Sequence, residues 1–229
     1  MSQRLPLFPL GAVLVPGEVL PLHVFEPRYL DLVRDVLDDA SHPDGRDGSV
    51  SRFGVLGIRR GHEVGAHRLA ELYDVGCAAE VLEIDRNADG TLDLVTVGRE
   101  RFRLDALDGD AGTAYLTGQV EWLDEPSTVV EPALTEQVRT EFLMYCERLG
   151  MGRDGTASSS ALEDPVLLSY VVTASMLLHL PERQNLLAAP DARVRLRRAL
   201  SLLRRERVLW QVAASVPAVD LARRAPDQG

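Results

Sequence analysis

Residues 72–104 read Leu72-Tyr-Asp-Val-Gly-Cys-Ala-Ala-Glu-Val-Leu-Glu-Ile-Asp-Arg-Asn-Ala-Asp-Gly-Thr-Leu-Asp-Leu-Val-Thr-Val-Gly-Arg-Glu-Arg-Phe-Arg-Leu104. Two apolar, β-branched runs flank Asn87-Ala-Asp-Gly90, a group of residues that tolerates the positive φ of a tight turn. The pattern predicts a hairpin, with one strand over 72–85 and its partner over 92–104. Gly98 interrupts the second run and marks a bulge. Further strands are predicted over 53–58 and 115–123. Consecutive strands joined without helices favour a closed or partly closed antiparallel barrel.

Towards the N-terminus, residues 5–10 and 18–25 are two more short runs, separated by a Pro16-Gly17 turn. Pro6, Pro9 and Pro21 lack a backbone donor, so both runs are expected at edges or bulges. One helix interrupts the strands. Pro27 suits its first position, and Tyr29, Leu30, Val33, Val36 and Leu37 recur at helical spacing. Residues 42–48 end it as a polar, Gly-rich loop.

The pattern changes near Pro126. Pro132 opens a helix with Leu134, Val138, Phe142, Tyr145 and Leu149 on one stripe, ending at Gly150. Residues 151–160 are Gly/Ser-rich and read as a loop. Asp164-Pro165 is an N-cap and first position for an apolar helix over 166–178. Pro181 starts a short helix to Leu187. Asp191 caps a long one to about Ala214, and residues 215–229 read as a polar tail. The fold class is therefore α+β: a β-rich barrel with one inserted helix over residues 1–125, then a bundle of about four helices over 126–229.

Composition narrows the chemistry. All 25 cationic side chains are Arg, with no Lys. That removes Schiff-base, Walker A and Ser–Lys chemistry. The net charge of −10 disfavours nucleic acid as a partner, since phosphate binding draws on a basic surface. Cys77 and Cys146 sit among apolar neighbours and read as buried free thiols in a reducing, cytoplasmic setting. No apolar run reaches the roughly 20 residues of a membrane span. The chain is expected to be a monomer or weak homo-oligomer.

No local motif selects a catalytic or metal site. His62-Glu-Val-Gly-Ala-His67 has its histidines five apart, whereas two zinc ligands on one helix face need four. Gly54-Val-Leu-Gly57 lies inside a strand, where glycine permits close packing rather than phosphate binding. Ser158-Ser-Ser160 lacks a nucleophile elbow. Arg193, Arg195, Arg197, Arg198, Arg204, Arg205 and Arg207 make the last helix basic. Either it faces an acidic partner or nucleic acid, or it is a solvated face paired with carboxylates of the β half. The segment 21–29 is the densest unusual stretch. His23, Phe25, Glu26, Arg28 and Tyr29 within it are the candidate partner-binding residues. Against this, His23 also reads as a hydrogen-bonded structural histidine, and Glu26 and Arg28 as groups that cap and pair at a helix start. A hydrolase built on His23 or His62 is the remaining enzymatic alternative.

Leu5-Pro-Leu-Phe-Pro-Leu-Gly-Ala-Val-Leu-Val-Pro-Gly-Glu-Val-Leu-Pro-Leu-His-Val-Phe-Glu-Pro-Arg-Tyr29 resembles the opening of the Lon protease N-terminal domain family. The resemblance continues through Leu72-Tyr-Asp-Val-Gly-Cys77, residues 89–102, Asp164-Pro165 and Leu180-Pro-Glu-Arg-Gln-Asn-Leu-Leu187, all in family order. It implies a PUA-like pseudo-barrel followed by a helical bundle, and a cofactor-free, non-catalytic module that recognises protein or peptide partners. The chain looks like a stand-alone member without ATPase or peptidase domains. The family supplies no catalytic residue to carry over. The PUA-like fold also brings nucleic-acid binding through the basic last helix as the alternative.

Overall fold

The hairpin forms as its turn residues dictate. In a computed structural model, which describes residues 3–41, 51–60, 71–151 and 159–215, strands β5 (Val75–Arg86) and β6 (Leu92–Leu107) pair antiparallel around Gly90 at φ 88°. The Asn87 N–H donates to Thr91 O at 3.0 Å, and the Thr91 N–H donates to the Asp89 side chain at 3.0 Å. The ladder steps between Ala79↔Gly98 and Cys77↔Arg101, so β6 carries one extra residue beside Gly98. The bulge therefore lies where the glycine predicts it. A Cβ on Gly98 would sit 2.1 Å from the Val15 carbonyl oxygen.

Around this hairpin run β1 (Gln3–Leu10), β2 (Val19–Val24), α1 (Pro27–Ser41), β3 (Arg52–Arg60), β4 (Glu71–Leu72) and β7 (Leu116–Leu123). The order β1-β7-β6-β5-β3 closes on itself because β1 also pairs with β3, and that closing pair is parallel while the rest of the ring is antiparallel. The predicted strand over 72–85 is broken. Tyr73 donates its N–H to Gly57 O of β3, while Asp74 O accepts from Leu104 of β6, so the chain changes neighbours there.

The prolines of the first two runs have different fates. Among the described residues β2 is bonded only to β6, an edge strand as expected for Pro21. β1 is not an edge: residues 3–7 pair with β7 and residues 7–10 pair with β3. Pro6 and Pro9 are tolerated because each lies in a half of β1 that is paired on one side only, which leaves an unpaired side where a missing N–H breaks no ladder bond. Phe8, Leu14, Val24, Leu32, Val33, Phe53 and Leu94 fill the barrel against α1.

The second half holds α2 (Pro132–Arg148), α3 (Ser159–Glu163), α4 (Pro165–Ser175), α5 (Leu180–Leu187) and α6 (Ala192–Ser215). The short α3 occupies part of the segment read as loop, so five helices stand where about four were expected. Asp164 accepts the Leu167 N–H at 2.9 Å, the cap its position predicts. α4 stops at Ser175, short of the predicted 178. Met176 turns extended, and the Leu177 N–H donates to the Tyr145 hydroxyl at 2.9 Å. Val138, Phe142, Leu168, Val172, Leu196 and Leu203 form the bundle core.

Barrel and bundle meet on a buried polar knot. Glu125, just after β7, accepts from Arg101 of β6 at 3.0 Å, from Arg195 of α6 at 3.1 and 3.2 Å, and from the Tyr170 hydroxyl of α4. Arg195 is wholly buried and lies over the Tyr170 ring at 4.0 Å. The same guanidinium groups donate to the Leu186, Leu187 and Ala189 carbonyls at the end of α5. At Leu187 and Ala189 they thereby satisfy acceptors that a helix C-terminus leaves open, while Leu186 O also accepts the Ala189 N–H at 3.1 Å.

Candidate functional site

The outer face of β2, β6 and β5 leaves several apolar side chains in water. Alternation along β2 sends Leu20, Leu22 and Val24 into the core and Val19, Pro21 and His23 outward. The register sets Val19 beside Val97, Pro21 beside Val95 and His23 beside Asp93. On the other flank Val97 faces Glu80, Val95 faces Glu83 and Asp93 faces Asp85. A second bulge lies between Val81 and Glu83, where β5 carries the extra residue. Val81 and Ile84 pack on the core, and Leu82 and Glu83 between them are both exposed. The result is an apolar strip of Val19, Pro21, Val95, Val97 and Leu82, with Val19 58% and Leu82 50% exposed.

The segment 21–29 continues this strip at one end. Phe25 follows β2 and is 56% exposed, its ring 6.1 Å from that of His23. His23 Nδ1 is bonded to Asp93 at 2.7 Å, and Asp93 also accepts from the Asn87 amide at 2.8 Å. These two contacts, the Asn87 amide first, hold the Asp93 carboxyl below the usual carboxylate range. Arg28 pairs with Glu26 at 2.9 Å and lies over the Tyr29 ring at 4.5 Å. Tyr29 is buried, stacked on Phe8 at 4.1 Å. Of the five candidates, His23 and Phe25 are therefore the ones presented on the strip. Tyr29 floors a hollow of about 100 Å³ between the ends of β1 and β2.

The other candidates resolve differently. The His23–Asp93 pair stands on open strand surface, with no hydroxyl or thiol bonded to the imidazole among the described residues. His62 and His67 lie outside the described residues, as do residues 42–50, Ser158 and the tail beyond Ser215. Among the described residues no His/Cys/Asp/Glu group is arranged to hold a metal, and no helix is long and apolar enough to cross a membrane. The arginines of α6 pair mainly within the helical half, not with β-half acids as expected: Arg197 with Glu131, Arg204 and Arg207 with Glu141, Arg205 with Glu182 and Glu206. Arg195 is the one that reaches Glu125. It was missed as a buried residue because seven arginines read as one charged face. The spacing 192, 195, 199, 203, which it shares with buried Ala192, Ala199 and Leu203, is the signal that picks it out.

Residues 4–205 match the substrate-binding domain of the ATP-dependent protease La (Lon) family. The chain belongs to this family. It is 27% identical to Lon protease 2 of Syntrophobacter fumaroxidans, across the whole of this chain and 26% of that protein. It is 24% identical to Lon protease of Escherichia coli K12, across 91% of this chain and 26% of that one. The chain thus spans about a quarter of the length of these curated relatives. The Lon N-terminal domain protein of Xanthomonas campestris superimposes with a TM-score of 0.64 at 26% identity, over 87% of this chain and 98% of that one. The N-terminal domain of the Mycobacterium avium complex Lon protease shares the fold, at TM-score 0.64 and 18% identity, over 88% and 98% of the two chains. The match falls on the Lon substrate-binding domain and not on a catalytic one.

Proposed function

We propose that this chain is a non-catalytic binding module that recognises protein or peptide partners through the outer face of β2, β6 and β5. The observation that carries the reading is the strip of exposed Val19, Pro21 and Leu82 around half-buried Val95 and Val97, on a chain whose family is named for substrate binding. Apolar side chains gathered on one open strand face can serve as an interaction site. Phe25 and His23 extend it, and aromatic side chains are common anchors of binding energy. Glu26, Arg28 and Tyr29 hold the turn that presents Phe25.

The test is calorimetric titration of the full chain with a reduced, unfolded protein. Binding in the micromolar range, lost in V19S/L82S, is the expected result. No binding at tens of micromolar overturns the reading. A Phe25→Ala variant is expected to weaken binding by about ten-fold, the scale of one truncated anchor.

A further inference from the structure

The strip has an acidic border. Glu83 and Asp85 project from β5 on the same face, opposite Val95 and Asp93. Among the described residues neither has an ion-pair or hydrogen-bond partner. Asp93 adds a third carboxylate, bonded to His23 and Asn87. Glu80, the fourth, is neutralised by Arg99 at 2.8 and 3.0 Å. The neighbouring cation Arg86 belongs, by alternation, to the opposite face of β5. Glu18, at the start of β2, is engaged by Arg183. Among the described residues the uncompensated charge beside the strip is therefore negative, and it is carried by Glu83 and Asp85.

Strand geometry sets the reach of this charge. Neighbouring strands lie about 4.8 Å apart, and alternate residues of one strand are separated by about 6.7 Å. Val95 is therefore one strand from Glu83, well within a Debye length of about 8 Å. An extended segment that places an apolar side chain on Val95 and Val97 brings its residues two positions away over the carboxylates. Lys or Arg there meets two unpaired anions, and Asp or Glu there is repelled.

We infer that the face selects extended polypeptide segments in which apolar residues are flanked by Arg or Lys. The inference rests on the binding reading above and adds the charge class of the partner. It also supplies discrimination, because like-charge contacts reject the wrong segment as effectively as attraction favours the right one.

Fluorescence anisotropy with three labelled peptides tests it. They share one apolar pattern and carry Arg, Ser or Glu at the flanking positions. With the full chain at low salt, the Arg peptide is expected to bind on the order of ten-fold tighter than the Glu peptide, with Ser between, and the difference is expected to shrink towards equality at about 1 M salt. In E83Q/D85N the order collapses while binding of the Ser peptide persists. In V19S/L82S all three weaken together. These four side chains are exposed, so the variants are expected to keep the parent circular dichroism spectrum. Equal affinity for the three peptides at low salt overturns the charge inference and leaves the binding reading standing. Binding of none overturns the binding reading itself. An unchanged Arg preference in E83Q/D85N removes these carboxylates as its source.

Discussion

Cys77 sits wholly buried on β5, its thiol 3.5 Å from the Arg99 carbonyl oxygen. Burial pushes its pKa far above the usual thiol range, and the backbone contact with Arg99 opposes this only in part. Burial likewise raises Cys146. As thiolate is the reactive form, neither should react with iodoacetamide at about pH 8 in the folded chain, and both should react once it is denatured. Above the ordinary thiol pKa the unfolded chain gives up a proton that folded Cys77 keeps, so this residue's contribution to stability falls as pH rises. Asp93 has the opposite sign. Its depressed carboxyl favours the folded state above the unfolded carboxylate pKa, and the benefit is lost as pH falls through the folded value. Asn87→Ala removes the largest cause, so carboxyl NMR should show Asp93 titrating higher in that variant. The apolar neighbours of both cysteines made the buried thiols legible in the sequence. The partner of His23 was not, because it lies 70 residues away and only the β2–β6 register brings it near.

At the scale of elements, the hairpin, the five longer helices and the Asp164 cap were legible because each depends on neighbours within a few residues. The closing β1–β3 pair was not, since prolines argue for an edge and only the splice of β1 between two partners makes room for them. The apolar strip was hidden for a related reason. Alternation puts Leu92 and Leu94 on one face and Val95 and Val97 on the other, but which face meets water depends on α1 and the rest of the barrel. Leu82 reaches the outer face only through a bulge that no turn residue announces. Gly98 is the element-level feature that local chemistry did reveal. Its backbone is bonded to Gly17 and Glu18 at 2.8 Å each, and the Val15 carbonyl occupies the place of a side chain. Gly98→Ala must move backbone rather than a flexible side chain. A loss of about 3 kcal/mol in urea unfolding is the expected outcome, at the upper end of ordinary overpacking. Gly90→Ala has open space around it and should cost only about 1 kcal/mol, for the strain of its positive φ.

For the whole molecule, Glu125 is the residue on which barrel and bundle depend together. It faces two buried guanidinium groups from opposite halves, and Tyr170 donates to it as well. Burial holds the Tyr170 hydroxyl protonated well above its usual range, despite the two nearby arginines, so it remains a donor to the carboxylate. Removing the carboxylate leaves both arginines without their counter-charge. Breaking one side of a buried ion pair costs about 3–5 kcal/mol, so Glu125→Ala should lower the thermal midpoint by roughly 10 °C in a domain of this size. Tyr170→Phe removes one hydrogen bond and should cost about 1 kcal/mol. The decisive variant replaces the whole set, R101M/E125L/R195M. Buried charge clusters often tolerate exchange for apolar residues without loss. Here Arg101 also serves the Leu187 and Ala189 carbonyls, and methionine offers those two no donor, while Leu186 O keeps the Ala189 N–H. The triple variant should therefore remain less stable than the parent, by about 1–3 kcal/mol for each carbonyl left buried and unsatisfied. Parent-like stability in thermal unfolding would show instead that the knot acts through its charges alone and that water reaches the end of α5.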